Sequence, residues 1–305
     1  MTSLEKFKAN HLIGKEIGSS VILSELARGG MAIVFIAYQR TLKRRIAVKI
    51  LPKIFLSPRK AGLFQQEAET AAILSHPNII QILDVGDIDE FIFFTMQLIR
   101  GISLKYLINK NKKQILPSKR FMPVKAIINL FIQILDGLNY AHQQNIIHCD
   151  IKPDNIMIEK HTQRPVITDF GVAKVLQDVT ASSSITRGSP LYMAPEQIVN
   201  ESSDNRIDIY AAGIMLFEML VPDLPLPKFE SYEELLKIKL LNENGLFLKK
   251  PSDLNPFIDK RMDRIIQNAI AYKPENRFAS CREFKDALQN YQKRYQYHGY
   301  RQKIE

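Results

Sequence analysis

Strand-like and helix-like segments occupy different parts of this chain, and this separation limits its fold more than any other feature. The apolar runs typical of strands lie within residues 20–99: Val21–Leu26, Ile33–Tyr38, Ile46–Leu51, Ile79–Val85 and Phe91–Leu98. A single helical pattern, Gly62–Leu74, lies among them. The later apolar patterns have helical period: Val124–His142, 204–220, 231–241, 258–271 and 280–296. This order predicts an α+β protein whose small β-rich lobe meets a larger helical lobe near Gly101, with a ligand cleft between them.

Composition is that of a globular protein. Of the 305 residues, 46% are hydrophobic and 24% charged, which is enough apolar material for a large core. The two cysteines, Cys149 and Cys281, cannot build a disulfide framework or a zinc site by themselves, so reduced thiols are expected. We expect neither a signal peptide nor a membrane span. The net charge of +10 is scattered along the chain and is typical of a solvated surface.

The segment Ile147–Asn155 combines three polar groups of different chemistry after a long helix. Asp150, Lys152 and Asn155 follow the spacing D-x-K-x-x-N, which converges if the loop curls. Together they offer a proton acceptor, a partner for phosphate and a metal ligand. An ordinary surface turn is the alternative.

A second acidic residue, Asp169, ends the short apolar strand Val166–Thr168 and precedes Phe170 and Gly171. Glycine permits the sharp backbone turn needed there. The distance along the chain from Asp150 leaves room for a hairpin that brings the two carboxylates together.

Four further segments occur in an order that resembles one family. They are Leu26–Ala32, Ala47–Lys49, His76–Ile79 and Gly188–Gln197. With the two acidic motifs, they are similar to eukaryotic-type Ser/Thr protein kinases, most of all the bacterial ones, from about Val21 to about Gln289. The resemblance implies a kinase domain over 20–292, with lobes 20–99 and 100–292. Residues 1–19 are then an N-terminal extension and 293–305 a basic tail.

The resemblance implies a role for each polar residue. Lys49 would hold the α- and β-phosphates of ATP, with Glu67 rather than Glu69 as its counter-charge. Asn155 and Asp169 would bind Mg²⁺, for which Mn²⁺ is an alternative. Asp150 would accept the proton of the substrate hydroxyl, and Lys152 would neutralise the transferred phosphate and mark Ser/Thr specificity.

An adenine pocket is also implied. Met96 would be its gatekeeper and Gln97–Ile99 its hinge, surrounded by Val34, Ala47 and Met157, although plain core packing explains these apolar residues equally well. The loop that covers the phosphates would comprise Leu26, Ala27, Arg28, Gly29, Gly30, Met31 and Ala32. The family's first and third glycines are Ala27 and Ala32 here, so a stiffer loop or weaker ATP affinity is expected.

Other residues are expected to be structural. Glu196 and Arg277 resemble a buried ion pair of the family, Asp208 its brace for the catalytic loop, and His148 and Phe170 a stacked pair.

In the family, an arginine usually precedes the catalytic aspartate and binds a phosphorylated activation loop, and Cys149 takes its place here. We therefore expect activity that does not depend on phosphorylation of the activation-loop hydroxyls, which are Thr180, Ser182, Ser183, Ser184 and Thr186. Lys174 could substitute for that arginine in part.

Two other functions are compatible with parts of this sequence. A pseudokinase scaffold would share the fold, but all of Lys49, Glu67, Asp150, Asn155 and Asp169 are present. The tail Tyr291–Arg301 interleaves tyrosine with basic residues and could stack nucleic-acid bases, but a fraying helix is the simpler interpretation. The expected partners are ATP and a protein with Ser or Thr hydroxyls, without nucleic acid. We expect autophosphorylation, a monomer or weak homodimer, and the bacterial cytoplasm, with export into another cell as the alternative.

Overall fold

The computed structural model describes residues 9–28, 32–53, 69, 72–88, 91–170, 190–199, 204–243 and 245–301. Its first part is a six-stranded antiparallel sheet in the order β1-β2-β3-β4-β6-β5. The strands are β1 (Glu16–Ile17), β2 (Ser20–Arg28), β3 (Ile33–Gln39), β4 (Arg44–Pro52), β5 (Ile82–Ile88) and β6 (Phe91–Gln97).

The side chains of β4 point alternately to the two faces of this sheet. Ile46, Val48 and Ile50 pack on one face with Phe35 and Phe93 of the neighbouring strands. The intervening residues Ala47, Lys49 and Leu51 therefore point to the opposite face, because successive side chains of a strand alternate. That opposite face is the one that carries the candidate site.

The segment before β2 is part of this lobe. The 3₁₀ turn Ala9–Leu12 and β1 place Leu12 and Ile17 in the same core as Phe35. The Gly14 amide donates to the Ile22 carbonyl at 2.8 Å, and Gly14 has a φ of +84°, which favours glycine.

The second part is helical with a small sheet of β7 (Gly101–Ser103), β8 (Ile156–Glu159) and β9 (Pro165–Ile167). Gly101 lies where the two lobes were expected to meet. A side chain there would place its Cβ 1.9 Å from the Ile158 carbonyl oxygen, so the close pairing of β7 with β8 requires glycine.

Most of the helices that the structure describes here contribute to one core. The described helices are α1 (Leu104–Lys112), α2 (Val124–Gln143), α3 (Pro195–Ile198), α4 (Arg206–Leu220), α5 (Tyr232–Leu241), α6 (Pro251–Leu254), α7 (Lys260–Ala269) and α8 (Cys281–Arg301). Short 3₁₀ turns occupy Pro117–Arg120, Pro153–Asn155 and Pro274–Asn276. Helix α4 is buried along nearly its whole length, which explains its continuous apolar sequence.

Helix α2, with the turn before it, is the one described stretch long and apolar enough to cross a membrane by length and composition. Its apolar stripe, which includes Ile127, Phe131 and Leu138, lies in the core of the helical lobe. The helix is therefore accounted for as a core helix.

The two-lobed α+β prediction is confirmed, and the differences lie at element ends. Strand β5, predicted to begin at Ile79, begins at Ile82. Ile79 instead forms an isolated bridge with Ile167 of β9. Strand β4, predicted over Ile46–Leu51, extends from Arg44 to Pro52. Helix α8 continues to Arg301 and includes most of the segment predicted as a tail.

Candidate active site

Lys49 lies on the inner face of β4, opposite Val34 of β3 and Phe94 of β6. The residue is only 9% exposed, and its ammonium lies 5.6 Å from the centre of the Phe94 ring. A buried cation needs a counter-charge, and the Asp169 carboxylate makes a direct ion pair with it. Lys49 of the β-rich lobe thus contacts Asp169, which follows strand β9 of the helical lobe.

The backbone around Asp169 is fixed on both sides of β9. Ile167 accepts from the Ile80 amide and donates to the Asn78 carbonyl, each at 2.8 Å, while β8 pairs along the other edge. Asp169 itself has a φ of +60°, an unfavourable backbone region for a residue with a Cβ. Strain of this kind persists only where the surroundings hold the residue in place.

Burial alone would raise the pKa of the Asp169 carboxyl, but the charge and hydrogen bond of Lys49 outweigh it, and the pKa is lowered. The acid is consequently ionised at neutral pH. The side chain remains 37% accessible to solvent in the cleft, so a ligand can reach it.

The loop after α2 brings the three predicted polar groups together. Lys152 Nζ lies 2.5 Å from Asp150 Oδ2. The Asn155 amide nitrogen donates to the Asp150 carbonyl oxygen at 2.8 Å and to its Oδ2 at 3.1 Å. The predicted convergence of Asp150, Lys152 and Asn155 is observed, and the surface-turn alternative does not describe these mutual contacts.

His148 connects this loop to the strand end that bears Asp169. Its Nδ1 accepts from the Asp150 amide at 3.2 Å, so its Nε2 is the nitrogen that donates to the Thr168 carbonyl at 2.8 Å. These two partners place a ring proton on Nε2. The ring also makes an edge contact with Phe170 at 4.7 Å, which confirms the predicted pair.

Asp208 supports the loop from helix α4 and is 1% exposed. Its carboxylate accepts from the amides of His148 and Cys149, both at 2.9 Å, and from His142 Nε2 at 2.8 Å. Burial raises the pKa of this carboxyl, but these hydrogen bonds and the nearby imidazoles outweigh burial, and the pKa is lowered. The predicted brace is confirmed, and it holds Cys149 at a φ of +68°.

The predicted buried ion pair is also confirmed. Arg277 Nη1 and Nη2 bind Glu196 Oε1 and Oε2 at 2.6 and 2.8 Å in a bidentate pair. The pair joins helix α3, which carries Glu196, to Arg277, which directly follows the 3₁₀ turn Pro274–Asn276.

The apolar candidates surround the same cleft. In the sheet register, Ala47 lies opposite Met96 and Val34 lies opposite Lys49, so these side chains share the inner face. Met157 alternates with the buried Ile156 and Ile158 on β8 and so points away from the lobe core. Gln97 ends β6, and Ile99 lies between the lobes.

The covering loop is described only in part. Leu26 is 50% exposed, and Ala27 and Arg28 are also exposed, whereas Ala32 is buried at 8%. Arg28 pairs with Glu25 at 2.7 Å on the same strand. Gly29, Gly30, Met31 and Glu67 lie outside the described residues, as do the activation-loop hydroxyls.

Three polar residues of the helical lobe escaped the sequence analysis. His142 supports Asp208, Glu218 accepts from the Tyr192 hydroxyl and from Lys105, and Lys239 binds three backbone carbonyls. Glu218 lies within the apolar run Ile209–Leu220, where a charged residue signals a buried partner.

The donor atoms in the cleft fit a magnesium ion. The Asn155 amide nitrogen is engaged by Asp150, so its carboxamide oxygen is the atom that can coordinate, alongside the accessible Asp169 carboxylate. In the described part of the chain, no cluster of three or more His, Cys, Asp and Glu side chains could hold a metal by itself. Mg²⁺ characteristically completes such a sparse protein site with phosphate oxygens and water.

Comparison with known proteins agrees with this geometry. Residues 21–291 match the family described as the protein kinase domain, and the chain belongs to that family. It is similar to the Serine/threonine-protein kinase PrkC of Bacillus subtilis, with 34% identity over 89% of this chain and 40% of the relative. It is also similar to the Tyrosine-protein kinase MasK of Myxococcus xanthus, with 30% identity over 90% of this chain and 43% of the relative.

The fold matches the crystal structure of the Mycobacterium tuberculosis PknI kinase domain, with a TM-score of 0.71 and 25% identity over 91% of this chain and 97% of that one. The chain therefore spans about two fifths of the two curated relatives but nearly the whole of an isolated kinase domain.

Proposed function

We propose that this chain is an ATP-dependent Ser/Thr protein kinase that transfers the γ-phosphoryl group to protein hydroxyls, including its own. The observation that supports the proposal most directly is that an ion pair between the lobes and a set of polar loop residues lie in one cleft. The Lys49–Asp169 pair joins the lobes, and beside it Asp150, Lys152 and Asn155 are held by mutual hydrogen bonds.

The roles follow from what phosphoryl transfer requires, which is positioning and neutralisation of charge. Lys49 would bind the α- and β-phosphates. Asp150 would orient the substrate hydroxyl and accept its proton, and Lys152 would neutralise the phosphate as it moves. Asn155 and Asp169 would hold Mg²⁺, or Mn²⁺ in its place, and the metal would offset the charge of the phosphate oxygens.

The binding pocket would use the inner face of the sheet for adenine. Val34, Ala47, Met96 and Met157 would contact the ring, and Gln97 and Ile99 would offer backbone hydrogen bonds. The segment 26–32 would cover the phosphates, with Ala27 and Ala32 where glycines usually lie. Glu67 would pair with Lys49 when the Asp169 carboxylate turns to a metal.

Specificity for Ser and Thr is supported by Lys152 beside Asp150, at the position that the resemblance associates with such kinases. One relative carries the name of a tyrosine kinase, so the acceptor needs a direct test. Acid hydrolysis of the labelled product should release phosphoserine and phosphothreonine. Phosphotyrosine as the main product would contradict this part of the proposal.

The activity itself is tested with γ-³²P-labelled ATP, Mg²⁺ and myelin basic protein, comparing the wild type with Asp150→Asn. The substitution preserves shape and removes the proton acceptor, so transfer should fall by about a hundredfold or more. Equal transfer by both proteins would favour the alternative, a pseudokinase scaffold.

For the remaining partners, we propose a protein substrate and no nucleic acid. Tyr291, the first aromatic residue of the basic segment, is 3% exposed beneath Arg261 and cannot stack on a base. The relatives are bacterial proteins, and we propose the bacterial cytoplasm as the location, a kinase domain over 20–292, and a monomer or weak homodimer.

A further inference from the structure

Lys239 is a buried lysine of helix α5, 3% exposed, that the proposed chemistry does not use. Its ammonium donates to the backbone carbonyls of Pro190, Leu191 and Met193 at 3.0, 2.8 and 2.5 Å. An ammonium has three N–H donors, so each carbonyl receives one. A single side chain thus satisfies most of the carbonyls of one short segment.

The surroundings of Lys239 supply no direct ion-pair partner among the residues that the structure describes. Its Nζ lies 5.0 Å from the centre of the Tyr210 ring, and Arg277 lies 4.9 Å from the same ring. The Glu196 carboxylate is occupied by Arg277. A buried cation costs free energy unless its hydrogen bonds are made, so the three carbonyls are what keeps Lys239 in place.

The segment 190–193 is linked to the catalytic loop through the side chain of Gln197. It leads into Ala194, whose amide donates to Gln197 Oε1 at 2.8 Å, and Gln197 Nε2 donates to the Cys149 carbonyl at 3.3 Å, directly before Asp150. The Tyr192 hydroxyl donates to the Glu218 carboxylate of α4. Through Ala194 and Gln197 the segment is thus connected to the residue that precedes Asp150, and a polypeptide that presents a hydroxyl to Asp150 would pass near it.

We propose that Lys239 is a positioning residue for protein substrates, acting by holding the carbonyls of 190–193 so that this segment forms a fixed platform next to Asp150. The inference rests on the proposed kinase function. The hydrogen bonds of Lys239 go to 190–193 and not to Lys49 or Met96, where ATP would bind, so Lys239 should affect the protein substrate and not the nucleotide.

The protonation state of Lys239 gives a second observable. Burial and repulsion from Arg277 lower the pKa of Lys239 well below its usual value, and Glu196 opposes them. Burial raises the pKa of Tyr210, so that neighbour stays neutral. A neutral amine has two N–H groups for three carbonyls, and the platform should loosen as pH rises through the pKa of Lys239.

The test compares Lys239→Met with Lys237→Met, the same substitution two residues away on the exposed face of α5. Both variants are assayed with myelin basic protein and ATP after circular dichroism shows that they are folded. We expect Lys239→Met to raise the KM for myelin basic protein by about tenfold or more, with the KM for ATP within about twofold, and Lys237→Met to change neither. Equal changes in both KM values, or no change in either, would overturn the proposal.

The wild type provides a measurement that does not depend on the variant folding. In a pH series that spans the titration of Lys239 below its usual pKa, the KM for myelin basic protein should rise by roughly fivefold or more with rising pH, while the KM for ATP changes little. A flat profile would count against the role of Lys239. Wild-type protein that labels no protein at all would instead count against the kinase function, so the two failures are distinguishable.

Discussion

Two groups of polar residues in this protein each combine acidic with basic side chains, and they differ in how completely their partners enclose them. The cleft cluster consists of Lys49, Asp150, Lys152, Asn155 and Asp169. The supporting cluster consists of His142, Glu196, Asp208 and Arg277. The Asp169 side chain is 37% accessible and its pair with Lys49 faces the cleft, whereas Asp208 is 1% accessible and accepts three hydrogen bonds.

This difference in solvent access distinguishes residues that can take part in a reaction from residues that support the structure. A carboxylate that keeps solvent access can exchange water for a metal or a hydroxyl, so it can take part in a reaction. A carboxylate whose oxygens are all engaged inside the protein cannot, and its hydrogen bonds instead fix the backbone. The cleft cluster should therefore control the rate and the supporting cluster the stability.

The largest effect is expected from Asp169→Asn. The substitution removes the charge that would hold the metal and balance Lys49, so kcat should fall by about a thousandfold or more. The partly exposed side chain contributes less to folding, and the thermal midpoint should shift by only a few degrees, about 5 °C at most. The measurement pairs a phosphotransfer assay with thermal unfolding monitored by circular dichroism. A folded variant with near wild-type kcat would contradict the proposal that the cleft cluster controls the rate.

Sequence reasoning found the cleft cluster because each member lies within a recognisable pattern. The run Ile46–Leu51 predicted a strand with a buried lysine, and the spacing from Asp150 to Asn155 predicted a converging loop. It did not find the partner of Lys49 seen in the structure, because Asp169 lies 120 residues away and only the packing of the two lobes brings them together.

The supporting residues were found unevenly for a similar reason. Asp208, Glu196 and Arg277 were predicted through the family resemblance. Nothing in the sequence distinguishes Lys239 from Lys237, since both lie in the same helix and differ only in the face that packs on the lobe. Likewise, Leu12 precedes the first predicted strand and joins the core through tertiary contacts alone.

Arg277→Met is expected to have the largest effect on stability. It leaves the Glu196 carboxylate buried without its bidentate partner, and breaking a buried pair costs about 3–5 kcal/mol. Urea denaturation would measure the loss. The matched control is Arg261→Met, which removes the half-exposed pair with Asp259 and should cost about 1 kcal/mol or less. Equal losses of unfolding free energy for the two variants would mean that burial does not determine how much these ion pairs stabilise the protein.

A smaller and pH-dependent effect is expected from Asp208→Asn. The pKa of Asp208 is lowered in the folded protein, so its stabilising contribution is complete above its unfolded pKa, about 3.9, and is lost as pH falls through its folded pKa. The variant should lose about 1–3 kcal/mol at pH 7 because its amide cannot accept from every amide that the carboxylate serves. Unfolding free energies measured from pH 7 downward should fall less steeply for the variant than for the wild type. Parallel curves would show that Asp208 is not a source of the acid sensitivity.

The smallest effect is expected from replacing the activation-loop hydroxyls, because no arginine directly precedes Asp150. Cys149 occupies the place of the family's arginine, and its amide and thiol contact Asp208 and the Ile147 carbonyl, so it offers no charge to a phosphate. Replacing Thr180, Ser182, Ser183, Ser184 and Thr186 by Ala should therefore change kcat by less than tenfold, or about 1.4 kcal/mol.

The same replacements in a Cys149→Arg background sharpen this prediction. An arginine at 149 would supply the missing partner for a phosphorylated loop. The alanine replacements should then lower kcat in that background more than in the wild type, and quantitative phosphotransfer assays on the four proteins measure the difference. A loss of tenfold or more in the wild-type background would refute the hypothesis, because it would show that another cation, such as Lys174, already fulfils the role of the arginine.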